Sequence, residues 1–351
     1  MPLRTRAWLL VAVLVSSPLL PSEAAVPDRG STPIVVSGAP SSLATQAASV
    51  RVDRAPGSAL ATPLTMKERA TQPAHRFGLA PMVRRYYQSF ADYQFPDPGT
   101  GTNPLSRLEF PIDNWFAGLE ATGTFGRCTL RASCLTRLEQ RTGPPTKDSD
   151  WEDPTNPQLV TTYSETKNRV VEGRVVDVGA DWKLAKVRRA TLGPSLGYRW
   201  QTFRFIAGDG LQTSINPPGS VPLEGDTFDV RFTFRSVYLG TYASVPLGRT
   251  ELLLRYDREW GRAVETDRHL LRGNRFTSDT GRTTGWHVAA GLAHRVSNHV
   301  SLRLEWDFRR VRADDANHFW NEADGTPPES WSGARVYSDQ RSFTLSTIAR
   351  F

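Results

Sequence analysis

Apolar and polar residues alternate over long stretches of the C-terminal half. Leu302, Leu304, Trp306 and Phe308 are separated by Arg303, Glu305, Asp307 and Arg309. Successive side chains of a β-strand point to opposite faces, so this stretch predicts a strand with one greasy, aromatic face and one fully charged face. The same period recurs elsewhere. Phe228, Val230, Phe232 and Phe234 alternate with Asp229, Arg231, Thr233 and Arg235, and Trp286, Val288, Ala290 and Leu292 alternate with His287, Ala289, Gly291 and Ala293. Leu252, Leu254 and Tyr256 alternate with Arg255 and Asp257, and the last strand sets Phe343, Leu345, Ala349 and Phe351 on one face.

The connections alternate in length. Pro246–Arg249 and Val296–His299 read as tight turns, whereas the polar segments near 208–225, 262–284 and 313–333 read as long loops. Short turns at one end and long loops at the other are the signature of a transmembrane β-barrel. Counting back gives about ten strands, an even number as in bacterial single-chain barrels, the first of them from segments 76–94, 105–113 and 114–127. The expected fold class is therefore all-β, a transmembrane antiparallel β-barrel. No stretch approaches the ~20 continuous apolar residues of a membrane-spanning helix. A mean hydropathy of −0.41 and a hydrophobic fraction of 39% look soluble. Averaging over strands that alternate lipid-facing and lumen-facing residues produces the same figures.

The N-terminus bears on the compartment. Arg4 and Arg6 precede an apolar run from Ala7 to Leu20, and Ser22-Glu23-Ala24 offers small residues for a signal peptidase. Residues 1–24 are expected to be a signal peptide. Residues 25–72, rich in Ala, Pro, Ser, Thr and Val, read as a flexible periplasmic tail, leaving 73–351 as the barrel. A terminal Phe351 closing an alternating strand resembles the assembly signal of bacterial outer-membrane proteins, so the expected location is the outer membrane, with the long loops outside. A single chain that closes its own barrel is expected to be a monomer.

The formal charge of +7 comes mostly from arginine. A basic chain can mean nucleic acid; export argues against that partner. In a barrel, arginine lines a polar lumen or pairs with lipopolysaccharide phosphates, and by parity Arg231 and Arg235 are expected in the lumen. Cys128 and Cys134 are the two cysteines. An oxidising periplasm would allow a small loop disulfide between them; the alternative is two free thiols.

Two polar constellations fall at expected extracellular positions. The first is Asp148-Ser149-Asp150-Trp151, continuing to Pro157; the second is Glu265-Thr266-Asp267-Arg268-His269. The lumen face of the preceding strand carries Arg255, Asp257 and Glu259, so an unbroken strand would put Glu265, Asp267 and His269 on that same face. An aspartate two residues from a histidine can fix its tautomer and stabilise its protonated form, which makes the histidine a candidate general base for water. Asp148 and Asp150 share one side if extended. Turns and solvated charge clusters give the same patterns. Carboxylates with a histidine can also bind metal, but no H-E-x-x-H or cysteine-based ligand spacing occurs, nor any G-x-S-x-G elbow, and no cofactor is expected.

The pairing of D-x-D-W with a later D-x-H resembles the omptin family of outer-membrane proteases. The likeness runs from about Leu105 to Phe351. It includes Ser106-Arg107-Leu108-Glu109-Phe110, the run from Trp151 to Pro157, Leu196-Gly197-Tyr198 and Tyr238-Leu239-Gly240. The resemblance implies a ten-stranded barrel whose extracellular groove holds an Asp–Asp pair, Asp148 and Asp150, and an Asp–His pair, Asp267 and His269. Together they would activate water as an aspartic-type endopeptidase. It implies that Glu265 helps hold a basic substrate side chain and that lipopolysaccharide is needed for activity. Three departures stand out. The family's first-strand acid has no secure match, another acidic subsite position falls on Thr162, and of the lipid site only Tyr198 matches, with Trp200 and Thr202 at its other positions. Acidic residues Asp148, Asp150, Glu152 and Asp153, and Asp314, Asp315, Glu322, Asp324 and Glu329, gather in the outer segments, where they would steer cationic peptides inward. The competing expectations are a non-enzymatic barrel, such as an adhesin or inactive relative, and a small porin. The dense lumenal charge of both signs suggests a cross-linked interior instead of a pore.

Overall fold

The computed structural model describes residues 76–138 and 143–351; the expected signal peptide and tail lie outside the described residues. The described chain forms fourteen strand segments. These are β1 (Phe77–Tyr86), β2 (Phe90–Phe95), β3 (Ser106–Pro111), β4 (Trp115–Phe125), β5 (Cys128–Arg137), β6 (Thr146–Asp150) and β7 (Thr162–Trp182). They continue as β8 (Ala185–Val187), β9 (Ala190–Ile215), β10 (Pro218–Leu247), β11 (Thr250–His269), β12 (Arg275–Arg295), β13 (Val300–Asn321) and β14 (Glu329–Arg350).

The excess over the expected ten strands comes from interruptions. β14 pairs with β1 at one end of the sheet and with β2 at the other. β4 and β3 follow on β1 and β2 in the same way, as do β5 and β6 on β4 and β3. Each pair is one barrel strand with a break. Asp113 ties two breaks together by accepting hydrogen bonds from the Gln88 and Ser89 amides at 2.9 and 2.8 Å. β7, β9, β10, β11, β12, β13 and β14 complete the ring, closed by the β1–β14 pairing. The short β8 pairs beside β9 only.

Alternation along the strands sorts side chains by solvent. On β13, Leu304 is 53% exposed on the outer wall and its neighbour Arg303 is fully buried in the lumen. Leu79, Leu119, Leu196, Leu239, Leu292 and Leu345 join the outer belt. Inside it, Arg303 pairs with Glu120 at 2.9 Å, Arg199 and Arg309 both reach Glu259, and His287 bridges Asp257 and Asp307 at 2.9 and 3.1 Å. Buried charges need such partners, and the result is a cross-linked interior that encloses a cavity of about 50 Å³. Tyr238 lies opposite Gly197, where a Cβ would meet the Tyr238 hydroxyl at 2.3 Å. The two tripeptides around these residues thus belong to one contact.

Three expectations need correction. Most of 208–225, 262–284 and 313–333 is strand, not loop: the barrel wall rises well beyond the lipid belt. In that upper wall the polarity inverts. Phe228, Val230, Phe232 and Phe234 point inward to a buried cluster with Phe110, Phe203 and Phe205. Arg231 and Arg235 therefore face outward, not into the lumen. Beyond the lipid, water bathes the outer face, so charge belongs outside and apolar bulk inside. Finally, Cys128 and Cys134 are free. Both lie on β5, where six residues of extended chain separate them by roughly 20 Å, far beyond disulfide reach.

Candidate active site

β11 pairs with β10 and β12 without a register break, so its lumen-side parity carries unbroken from Arg255 to His269. Glu265, Asp267 and His269 all point inward and are buried. They mark three tiers of the upper wall, with Asp279, Thr277 and Arg275 of β12 as their respective cross-strand partners. The strand ends in a 3-10 turn, Leu270–Arg272, and Gly273 and Asn274 then take left-handed conformations to reverse the chain. Glycine and asparagine are the residues that tolerate this geometry.

On another part of the wall, β6 carries Asp148 and Asp150, both half-buried. Asp148 lies opposite Leu108 of β3, and Leu108 opposite Tyr93 of β2, so the three share one row. The Tyr93 hydroxyl crosses the mouth and donates to Asp267 Oδ2 at 2.6 Å. Ser106 donates to Asp148 at 3.4 Å. The two expected constellations are thereby brought to one mouth, with Tyr93 between them. The structure gives no hydrogen bond between Asp267 and His269. His269 Nδ1 and Asp267 Oδ1 are buried without partners, and the His269 ring meets Phe228 edge-on at 4.6 Å.

The electrostatics follow from enclosure and crowding. Burial, opposed by the Tyr93 hydrogen bond and by Arg275, leaves the Asp267 carboxyl raised to about 7. Burial and then the cations of Arg275 and Arg272 push His269 down to about 3, so its imidazole is neutral at physiological pH. Burial and the adjacent Asp150 hold Asp148 well above the ordinary carboxylate range. Burial, then Asp279 and Asp267, do the same for Glu265. Like charges in a low-dielectric pocket favour their neutral forms. No group of three or more potential ligands suited to a metal occurs among the described residues.

Sequence reasoning missed Tyr93, Arg272, Arg275 and Asp279. Asp279 was within reach: it alternates with Arg275 and Thr277 on the strand that the Gly273–Asn274 reversal folds back on β11. Tyr93 had no such signal, because its partner is reached only across the closed barrel.

A closed antiparallel barrel with a lipid-facing belt and a polar, tightly bridged lumen defines the class: an outer-membrane β-barrel protein of a Gram-negative bacterium. A model of the omptin family matches residues 100–343, and the chain belongs to that family of outer-membrane proteases. Its fold superposes on the crystal structure of outer membrane protease OmpT from Escherichia coli with a TM-score of 0.71. The two share 16% identity, covering 79% of this chain and 98% of that one. The translocator domain of the autotransporter NalP from Neisseria meningitidis aligns at a TM-score of 0.32 and 10% identity, covering 79% and 88% of the two chains. The Pseudomonas putida toluene transporter TodX aligns at 0.31 and 9%, covering 79% and 90%. No match was found among curated protein sequences.

Proposed function

We propose that this chain is an endopeptidase of aspartic type that cleaves peptides near basic residues at the outer mouth of its barrel. The observation that carries this reading is the meeting of Asp148 and Asp150 with Asp267 and His269 around the Tyr93 bridge. A neutral His269 with a free ring nitrogen accepts a proton from water as the water attacks the peptide carbonyl. Ionised Asp267 stabilises the imidazolium that forms, and Asp148 and Asp150 position the water and donate to or accept from the tetrahedral intermediate according to their protonation. Glu265, one tier deeper, receives the basic side chain, whose positive charge favours the ionised carboxylate that burial otherwise opposes. No cofactor enters this scheme.

The second part of the proposal concerns lipopolysaccharide. Arg235, Arg262 and Arg282 are direct cross-strand neighbours on β10, β11 and β12. All three are exposed, and Arg312 lies nearby on β13. The row stands one tier beyond the outward-facing Trp260, at the height where an aromatic belt meets lipid headgroups. Like charges directly opposite one another are destabilising unless an anion joins them, and lipid A phosphates supply that anion. Tyr198, exposed on β9 beside this region, is a further contact.

The test is cleavage of an Arg-containing fluorogenic peptide set by purified, refolded protein, with and without lipopolysaccharide. Cleavage stimulated by the lipid is the expected result. No cleavage of any peptide in either condition would favour a non-enzymatic barrel.

A further inference from the structure

The end of the barrel opposite the mouth carries charge of the other sign. Its rim consists of the β4–β5 turn at Gly126–Arg127, the hairpin between β7 and β9 that contains β8, the β10–β11 turn at Gly248–Arg249, the β12–β13 turn and the end of β14. Backbone hydrogen bonds join neighbouring members of this rim. The Lys183 amide donates to the Arg127 carbonyl and the Arg295 amide to the Arg249 carbonyl, each at 2.8 Å. Lys183, Lys186, Arg188 and Arg189 of the hairpin are exposed, as are Arg127, Arg249 and Arg295. Among the described residues none of these cations is in an ion pair. The acids in or flanking the turns are Glu251 and the lumenal Asp181, which is already paired with Arg255.

Two further observations bring this charge to a lipid surface. The first is register. Ala185 lies opposite Leu192 and Val187 opposite Ala190, and Leu192 stands with Leu196 on the lipid-facing side of β9. The outer face therefore continues into the hairpin, where Trp182, Leu184 and Val187 are 52%, 68% and 55% exposed. An exposed tryptophan with aliphatic and cationic neighbours marks the level where acyl chains give way to headgroups. The second is strain. Arg188 takes a left-handed φ of 53° where the hairpin reverses, a conformation given to Gly126 and Gly248 in two other turns. Glycine enters that region without steric cost and arginine does not. The hairpin thus keeps a cation at its tip despite the strain, and strain of this kind marks functional positions.

We propose that this rim is a binding surface for anionic phospholipid headgroups, with the Lys183–Arg189 hairpin as its main contact. With the mouth outside, as proposed above, these are headgroups of the periplasmic leaflet. Lysine and arginine donate to the lipid phosphates, and Trp182, Leu184 and Val187 enter the acyl boundary beside them. Attraction to an anionic leaflet grows with each cation and is screened by salt. The surface is separate from the outward Arg235–Arg262–Arg282 row, which stands beyond Trp260 at the other edge of the lipid belt.

The experiment uses the full refolded chain in detergent micelles. Native mass spectrometry counts dioleoylphosphatidylglycerol against dioleoylphosphatidylcholine retained on the barrel. The wild type is expected to retain the anionic lipid about tenfold or more over the zwitterionic one at low salt. Combining Lys183→Gln, Lys186→Gln, Arg188→Gln and Arg189→Gln is expected to bring the ratio to within a fewfold of unity, with heat resistance in detergent unchanged. Arg262→Gln with Arg282→Gln is expected to leave the ratio as in the wild type. No preference in the wild type, or an undiminished one in the fourfold variant, would overturn the inference. Should the fourfold variant not refold, Arg188→Gly carries the test. It relieves the strained turn and removes one cation, so it is expected to resist heat at least as well as the wild type and to lose about threefold to fivefold in the ratio; an unchanged ratio would overturn the inference. Displacement of the lipid by inorganic phosphate at constant ionic strength would also overturn it, by showing capture of a free anion. Pelleting with isolated peptidoglycan that the fourfold variant loses, alongside no lipid preference in the wild type, would assign the rim to the cell wall instead.

Discussion

The Tyr93 hydroxyl donates to Asp267 across the barrel mouth at 2.6 Å, joining the first barrel strand to the seventh. That bond occupies one carboxylate oxygen and leaves Oδ1 as the one available to a protonated His269. Tyr93→Phe removes a hydrogen bond to a charged group, worth about 1.5–3 kcal/mol, with little change of shape. The expected outcome is a roughly tenfold to hundredfold fall in kcat with KM little changed. Because the bond favours ionised Asp267, the acid limb of the pH profile should also move to higher pH. Steady-state kinetics across pH 5 to 9 check both; a variant with the wild-type limb would show that Tyr93 only fills space.

Asp267 also makes a prediction about stability. Its folded-state carboxyl lies at about 7 against an ordinary 3.8. The folded protein therefore binds a proton between these values that the unfolded chain releases. Stability from this group is present at acid pH and declines as pH rises toward 7. Asp267→Asn, which cannot ionise and can still accept from Tyr93, should be inactive yet more stable than the wild type at pH 8, by about 1–3 kcal/mol. Thermal unfolding in detergent at pH 5 and pH 8 would reveal it, since the difference should shrink at the lower pH.

The outward arginine row predicts a separable defect. Arg262→Glu with Arg282→Glu should leave the barrel folded and lower activation by lipopolysaccharide about tenfold or more, because repulsion replaces phosphate pairing. Titrating activity against the lipid measures this. Activation identical to the wild type would mean that the lipid acts elsewhere on the wall.

The cysteines offer a direct check of strand register. With Cys128 and Cys134 six residues apart on β5, the refolded protein should take up two equivalents of a thiol reagent after unfolding without reductant. A mass corresponding to an intramolecular disulfide would contradict that placement.

Much of this was legible in the chain. The period-two pattern of Leu302–Arg309 gave both the wall and its lumen face, and the odd-numbered face from Arg255 to Glu259 carried to Glu265, Asp267 and His269 because β11 has no bulge. Parity alone misled at Arg231 and Arg235. Alternation says that two faces differ, and which face is wet depends on whether lipid or water lies outside. The long hairpins read as loops for the same reason, since a wall standing in water is polar outside. Asp279 and His318 could not be joined from sequence: they meet through the β12–β13 register, which contains a bulge between Thr280 and Thr284.

The central claim is that His269, at a mouth it shares with Asp148, Asp150 and Asp267, takes the proton from the attacking water. Its most direct test is the cleavage rate of an Arg-containing fluorogenic peptide by purified His269→Ala protein, with lipopolysaccharide present and the barrel's heat resistance in detergent confirmed. The account predicts loss of at least about a thousandfold in kcat against an active wild type. A folded His269→Ala barrel that cleaves at the wild-type rate would contradict it.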